Sequence, residues 1–148
     1  MKALSIRQPW AHYILEEGKD IENRTWSTEE RGDILIHVSK TVEKKDRSLV
    51  QRNNLPTGGI VGIVRITDCV EASDSEWFQG PFGLKLAAPR KLPFMPCKGR
   101  LGFFHPEISS QVMTLFQRKE LDKTTACRIL SLQESQFNKF ALGQGIPV

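Results

Sequence analysis

Three charged side chains lie close together near the start of the chain, Lys19, Glu22 and Arg24. Successive side chains of a β-strand point to opposite faces, so an extended segment would place Glu22 and Arg24 on the same face. A cation, a carboxylate and a guanidinium at this spacing are costly to bury unless they pair with one another or with a ligand. The spacing is compatible with a surface cluster of ion pairs and also with a polar binding site.

The elements that flank this charged segment are short. Residues 3–6 are predicted to form a strand, a helix begins at Pro9 and ends at Gly18, and residues 19–26 are extended. β-Branched and aromatic residues predict the later strands, at 34–38, 60–66, 84–87 and 101–104. Several short strands with intervening helices favour a small barrel of the α+β class.

Between these strands the sequence predicts less regular segments. A charged surface helix is expected at 41–53 and one helical turn at 73–78. Pro93 and Pro96 are expected to separate the last two strands, because proline cannot donate a hydrogen bond to a strand ladder.

The residues after Pro106 differ in character, since strand patterns stop there and helix formers take over. This predicts a barrel at 1–106 and a helical extension at 107–148. The extension would hold a helix at 109–119 and two further helices, the first capped by Asp122 or Thr124.

The last two helices carry apolar residues at the spacing of a helix-turn-helix, namely Ala126, Leu130, Leu132, Phe137 and Phe140. Such a motif could bind DNA through polar side chains of its second helix, among them Gln133, Gln136, Asn138 and Lys139. A helical hairpin that packs on the barrel or forms a homodimer explains the same spacing.

Composition limits the function classes. The chain has 148 residues and a formal net charge of +4, which predicts one folded domain with a small appendage and permits a polyanionic partner. No apolar stretch approaches the about 20 residues of a membrane span, and the first residues lack the apolar run of a signal peptide, so no membrane association is expected. Cys69, Cys97 and Cys127 are widely spaced, which favours free thiols and a cytoplasmic location.

No metal or cofactor is expected. His12, His37 and His105 have no cysteine pair at ligand spacing nearby, so they do not predict a zinc site. His37 could border a cleft or be a hydrogen-bonded core histidine. The Gly58–Gly59 pair stands alone and is interpreted as a turn, because no phosphate-binding fingerprint surrounds it.

Several blocks of the chain resemble one family. Residues 4–11, 18–26 and 31–37, followed by 59–62, 77–83 and 96–102, look like the ASCH (activating signal cointegrator homology) domain over roughly residues 3 to 105. The family motif is written G-x-K-x-x-E-x-R, and this chain keeps Lys19, Glu22 and Arg24. Glu17 stands at the position of the first glycine, and Gly18 follows it.

The resemblance implies a PUA-like β-barrel with a cleft that binds RNA or a nucleotide. Lys19, Glu22 and Arg24 would form the polar floor of this cleft. Trp26 or Trp10 could stack on an unpaired base, or either tryptophan could instead belong to the core. The remaining candidate binding residues are those that would edge the cleft: Arg7, Gln8, Ser39 and Lys40.

The resemblance also leaves an enzyme open. Some small ASCH proteins are amidohydrolases that deacetylate N4-acetylcytidine with a lysine, a threonine and a glutamate, and others have been described as ribonucleases. Lys19 matches the lysine, Glu22 occupies the position of the threonine, and Glu76 or Glu71 could match the glutamate. A lysine whose pKa is lowered by burial could act as a base while Glu22 orients water.

Overall fold

Six strands form one sheet in the order β2-β5-β4-β3-β1-β6 in a computed structural model that describes all 148 residues. The strands are β1 Ala3–Ile6, β2 Ile21–Arg24, β3 Gly32–Val38, β4 Gly59–Val70, β5 Phe82–Pro96 and β6 Phe103–Phe104. Only the β1–β3 pair is parallel. The sheet curls into a half-barrel with flanking helices, which confirms the predicted α+β class and the small PUA-like barrel.

Five helices accompany the sheet: α1 Trp10–Glu16, α2 Arg47–Arg52, α3 Ser109–Gln117, α4 Lys123–Leu130 and α5 Glu134–Gly143. A short 3-10 helix, Lys44–Asp46, precedes α2. The prediction of one helix over 41–53 was therefore too long at its start. Asp122 begins α4 as its N-cap, because its side chain accepts a hydrogen bond from the backbone N–H of Thr125, so this predicted cap is confirmed.

Both faces of the central strands are buried, which explains their unbroken apolar runs. Ile34 and Ile36 of β3 point into the half-barrel, where they pack with α1 residues. Leu35, between them, points to the other face and belongs to a second apolar cluster with Met113 and Phe137 of the C-terminal helices. Alternation along each strand thus divides the core into an inner cluster and an outer one.

The C-terminal helices share the outer cluster with the sheet. Val112 of α3, Ala126 of α4 and Phe137 of α5 are fully buried there together with Leu35 and Ile60. The division into a barrel at 1–106 and an extension at 107–148 stays a prediction. A test of this division would have to disrupt the packing that the sheet and the C-terminal helices share.

The prediction that Pro93 and Pro96 separate two strands was wrong. Strand β5 runs through both prolines, and Pro93 falls in a register shift of the β4–β5 ladder, between Lys91 and Met95. Strand β2 covers the other side of β5 only from Phe82 to Lys85. The later half of β5 therefore has a free edge and a bulge, the two places where a strand tolerates proline.

Two further predictions assigned more regular secondary structure than these segments have. Residues 73–78 form a loop with one hydrogen-bonded turn, in which the N–H of Phe78 donates to the Ser75 carbonyl at 3.1 Å, and no helix. Asn23 Nδ2 donates to the Trp77 carbonyl of this loop at 3.0 Å. The strand predicted at 101–104 covers only Phe103–Phe104. Residues 97–102 are instead a loop, and this loop borders a large cleft.

Candidate functional site

The turn after α1 sets the position of the charged trio, defined here as Lys19, Glu22 and Arg24. Gly18 has a φ of +74°, a conformation that favours glycine, and the N–H of Lys19 then donates to the Tyr13 carbonyl at 3.0 Å. Strand β2 follows at once and pairs antiparallel with the start of β5. Alternation along β2 turns Glu22 and Arg24 to one face, as predicted.

The charged trio is bound partly by its own members and partly by backbone carbonyls. Glu22 Oε2 accepts from Arg24 Nη2 at 2.8 Å, and Glu22 Oε1 accepts from Lys19 Nζ at 3.4 Å. Lys19 Nζ also donates to the Ile21 carbonyl. Lys19 is 5% exposed and Glu22 is 8% exposed. Burial lowers the pKa of Lys19 from its usual 10.5, and the charge of Glu22 only partly opposes this shift.

Arg24 also joins the two edges of the half-barrel. Its Nη2 donates to the Ser5 carbonyl of β1 at 2.8 Å, and its guanidinium lies 5.7 Å from the Trp26 ring centre. Trp26 in turn meets Phe103 of β6 edge-on, with ring centres 5.8 Å apart. Strand β2 thereby contacts β1 and β6, at the far end of the sheet order, through side chains. Arg24 Nε is buried without a hydrogen-bond acceptor.

A cleft of about 1070 Å³ opens beside Arg24. It lies where the carboxyl ends of β1, β3 and β5 meet the start of β4. The parallel β1–β3 pair and the antiparallel β3–β4 and β4–β5 pairs bring these ends to the same side of the sheet. Its lining contains five arginine or lysine side chains and no carboxylate: Arg7, Arg24, Lys40, Lys98 and Arg100. Lys40, Lys98 and Arg100 form no salt bridge.

The structure brings only some of the predicted site residues into this cleft. Those that line it are Arg7, Arg24, Ser39 and Lys40. Lys19 and Glu22 are absent from the lining and connect to it only through Arg24. The predicted cleft floor is therefore a single guanidinium backed by a buried ion-pair cluster. Glu76 lies exposed in the 71–81 loop, outside the cleft lining.

The other predicted residues have packing roles. Gln8 is buried, donates to the Pro56 carbonyl at 3.0 Å and accepts from the His12 N–H. Trp10 packs against the inner cluster and meets Tyr13 edge-on. Trp26 packs on Phe103, and neither tryptophan lines the cleft.

Sequence reasoning missed most of the cleft wall. Phe94, at the end of β5, and the loop residues Lys98, Arg100 and Leu101 all line the cleft. Leu101 is completely exposed, which is unusual for leucine. The basic residues on either side of Gly99 were the available signal, because two cations around a glycine mark an accessible loop.

His37 fixes this loop to the sheet. Its Nε2 lies 2.9 Å from the Cys97 carbonyl, which can only accept, so Nε2 carries a hydrogen. Its Nδ1, 2.9 Å from Ser5 Oγ, then accepts from the serine hydroxyl when the ring is neutral. A Cβ at Gly99 would lie 2.6 Å from the His37 ring, so only glycine permits this approach. His37 is thus a hydrogen-bonded core residue that also borders the cleft.

Other sites offer little for chemistry. No group of three or more His, Cys, Asp or Glu side chains is placed to hold a metal ion. None of the helices combines the length and apolar character needed to cross a bilayer.

In the C-terminal helices, the N–H of Gln133 donates to Gln136 Oε1 at 2.8 Å, so this pair takes part in capping α5. DNA binding by these helices and a homodimer stay predictions.

The fold and the comparison with protein families lead to the same assignment. The half-barrel with flanking helices is a PUA-like α+β fold, of a class generally linked to RNA binding. The model of the ASCH domain family matches residues 4–135, and the chain belongs to this family. No curated protein matches the chain. The match extends beyond the barrel into α4 and α5.

Proposed function

We propose that this protein binds single-stranded RNA in the cleft beside Arg24. The carrying observation is the cleft lining, in which five cationic side chains occur without a carboxylate. Arg7 and Arg24 are paired with Glu43 and Glu22 from outside the lining. The other three, Lys40, Lys98 and Arg100, called the cationic rim below, are exposed and form no salt bridge, so they are free to pair with an anion. A phosphate chain supplies that anion, and its affinity comes from such contacts.

The fixed position of Arg24 also favours RNA as the ligand. Its Nη2 is held by Glu22 and the Ser5 carbonyl, so the guanidinium is fixed in one orientation. Nε is buried and out of reach of a ligand, whereas Nη1 of this cleft-lining residue forms no hydrogen bond with the protein. A fixed guanidinium with free donors suits a phosphate oxygen or a base edge.

The shape of the cleft favours an unpaired strand. At about 1070 Å³ it is at the upper end of small-molecule pockets and accommodates more than one nucleotide. It is concave and formed by loops and strand ends, whereas recognition of a duplex major groove uses a protruding helix or ribbon. Sequence-specific proteins commonly bind RNA as splayed single strands.

The test measures affinity by fluorescence anisotropy with a labelled single-stranded RNA of about ten nucleotides. Arg100→Ala removes an exposed cation from the cleft, and Arg118→Ala removes one at the end of α3, outside it. We expect Arg100→Ala to weaken binding about fivefold or more and Arg118→Ala to leave it unchanged. Equal affinities for both variants, or no binding by the unmodified protein, would reject the proposal.

A second candidate is hydrolysis of a modified nucleobase such as N4-acetylcytidine. The observation that favours it is the lowered pKa of Lys19, which brings a buried amine closer to the range of a general base. Against it, Lys19 and Glu22 lie outside the cleft lining, and Glu22 is already paired with both cations. Release of cytidine from N4-acetylcytidine, lost in Lys19→Met, would establish this activity; no release at high protein concentration would end it.

A further inference from the structure

The Gly58–Gly59 pair shapes one wall of the cleft at the start of β4. A Cβ added to Gly59 would lie 2.6 and 2.7 Å from Cε2 and Cζ of Phe94, and one added to Gly58 would lie 3.1 Å from Cγ and Cε of Lys40. A Cβ at Gly59 would also lie 2.4 Å from the Met95 carbonyl oxygen, so glycine is required there, whereas the flexible lysine stem could shift away from a Cβ at residue 58. Gly58 also has a φ of +80°.

Backbone hydrogen bonds hold the glycine pair in place. The N–H of Gly58 donates to the Val38 carbonyl at 2.7 Å, and its carbonyl accepts from the N–H of Cys97 at 3.2 Å. The pair is thus tied to the end of β3 on one side and to the start of the 97–102 loop on the other. A surface fixed on both sides loses little freedom when a ligand binds.

Phe94 offers an aromatic surface on this support. One edge of its ring lies against Gly59, yet the residue as a whole is 43% exposed and lines the cleft. Burying a phenyl side chain fully would stabilise the fold, so leaving it open is unfavourable for folding alone. Aromatic rings in single-strand clefts serve as platforms on which a base stacks.

Lys40 supplies a positive charge to the same cleft. Its stem packs on Gly58, it is exposed, and its ammonium forms no salt bridge. Lys40 and Phe94 lie against consecutive glycines and both line this cleft. An aromatic ring and an unpaired cation in that arrangement match the two parts of one nucleotide, the base and its phosphate.

We propose that Phe94 and Lys40, supported by Gly58 and Gly59, form a subsite for one unstacked nucleobase and its adjoining phosphate. The proposal rests on RNA binding in the cleft and adds which residues contact the base. An acidic apolar peptide would use the same two side chains, but the aromatic requirement and the separate contributions described below distinguish a base.

The experiment compares two single-stranded RNAs of equal length and charge, one with all bases and one with abasic sites. Phe94→Leu keeps an apolar side chain and removes the planar ring, whereas Phe94→Tyr keeps the ring. We expect Phe94→Leu to weaken binding of the base-containing RNA about tenfold and to leave the abasic RNA unchanged, with Phe94→Tyr close to the unmodified protein. Phe140→Leu, on an exposed phenylalanine of α5, is the matched control.

The Lys40→Met variant tests whether the subsite binds the phosphate. We expect it to weaken the binding of both RNAs by the same factor, because both retain the phosphate. If Phe94→Leu binds like the unmodified protein, or loses affinity equally for both RNAs, the subsite is rejected, while loss of binding in Arg100→Ala would still support RNA binding in the cleft. If the unmodified protein binds neither RNA, both proposals fail.

Discussion

The charged trio and the cationic rim contain the same kinds of side chain in opposite states. In the trio a carboxylate lies between two cations, all three are largely buried, and their polar atoms bind one another and backbone carbonyls. In the rim the cations are exposed and unpaired. The difference indicates that the trio positions Arg24 and closes the half-barrel, whereas the rim is free to bind a ligand. A charged motif that stands out in the sequence, such as the trio, can therefore stabilise a binding site whose surface is formed mainly by other residues.

The largest expected effect is on the trio. Glu22→Gln removes the negative charge between Lys19 and Arg24 and leaves two buried cations, which costs about 3–5 kcal/mol of the free energy of unfolding. Urea denaturation followed by circular dichroism measures this loss. Glu71→Gln, on an exposed carboxylate without an ion pair, should change stability by less than about 0.5 kcal/mol. A loss below about 1 kcal/mol for Glu22→Gln would contradict a structural role of the trio.

A smaller effect is expected where the two regions meet, at His37. His37→Ala removes the acceptor of the Ser5 hydroxyl and the donor to the Cys97 carbonyl, which should cost about 2 kcal/mol of stability. Because the 97–102 loop would lose one of its contacts with the sheet, RNA affinity should fall as well. His105→Ala, on an exposed histidine, is the control. Unchanged affinity in a folded His37→Ala protein would show that the loop is positioned without this residue.

The rim itself should affect binding and hardly affect folding. Lys98→Ala and Arg100→Ala each remove an exposed, unpaired cation, so the free energy of unfolding should stay within about 0.5 kcal/mol. The slope of log affinity against log salt concentration for single-stranded RNA should decrease by about 0.7 in each variant. Slopes equal to that of the unmodified protein would mean that neither cation contacts phosphate.

The smallest change is expected in the pH dependence of stability. Burial lowers the pKa of Lys19 in the folded state below its usual 10.5, so between these two values the unfolded chain binds more protons than the folded protein. The free energy of unfolding of the unmodified protein should therefore rise with pH in that window, relative to Lys19→Met. Lys139→Met, on an exposed lysine, gives the background. If the free energy of unfolding of the unmodified protein fell with pH relative to Lys19→Met over that window, burial would not lower the pKa of Lys19.

Local sequence patterns predicted the trio geometry because its causes are local. Gly18 allows the turn, and strand alternation turns Glu22 and Arg24 to one face. The N-cap of α4 was predictable for the same reason, since a side chain and a backbone N–H three residues away determine it. These features need no knowledge of the rest of the fold.

The cleft depends on contacts between distant parts of the chain, and the sequence pattern does not reveal them. Lys40 follows β3 and Phe94 lies in β5, and both come to line one cleft because β4 pairs with β3 and with β5. The free edge of β5 likewise follows from the short length of β2, so Pro93 misled the strand prediction. Trp10 and Trp26 are aromatic side chains of the kind that stack on bases, and only the folded structure shows that both are partly buried against the inner cluster and lie outside the cleft lining.

The contact of Arg24 with the Ser5 carbonyl has a mechanical consequence. The half-barrel is completed there by side chains, without a ladder of backbone hydrogen bonds between β2 and β1. Separating these two walls breaks a guanidinium contact and the Trp26–Phe103 packing, and no strand has to unpair. The molecule therefore has a built-in line of weakness along one side, and slow amide exchange should be concentrated in β3 and β4, opposite that line.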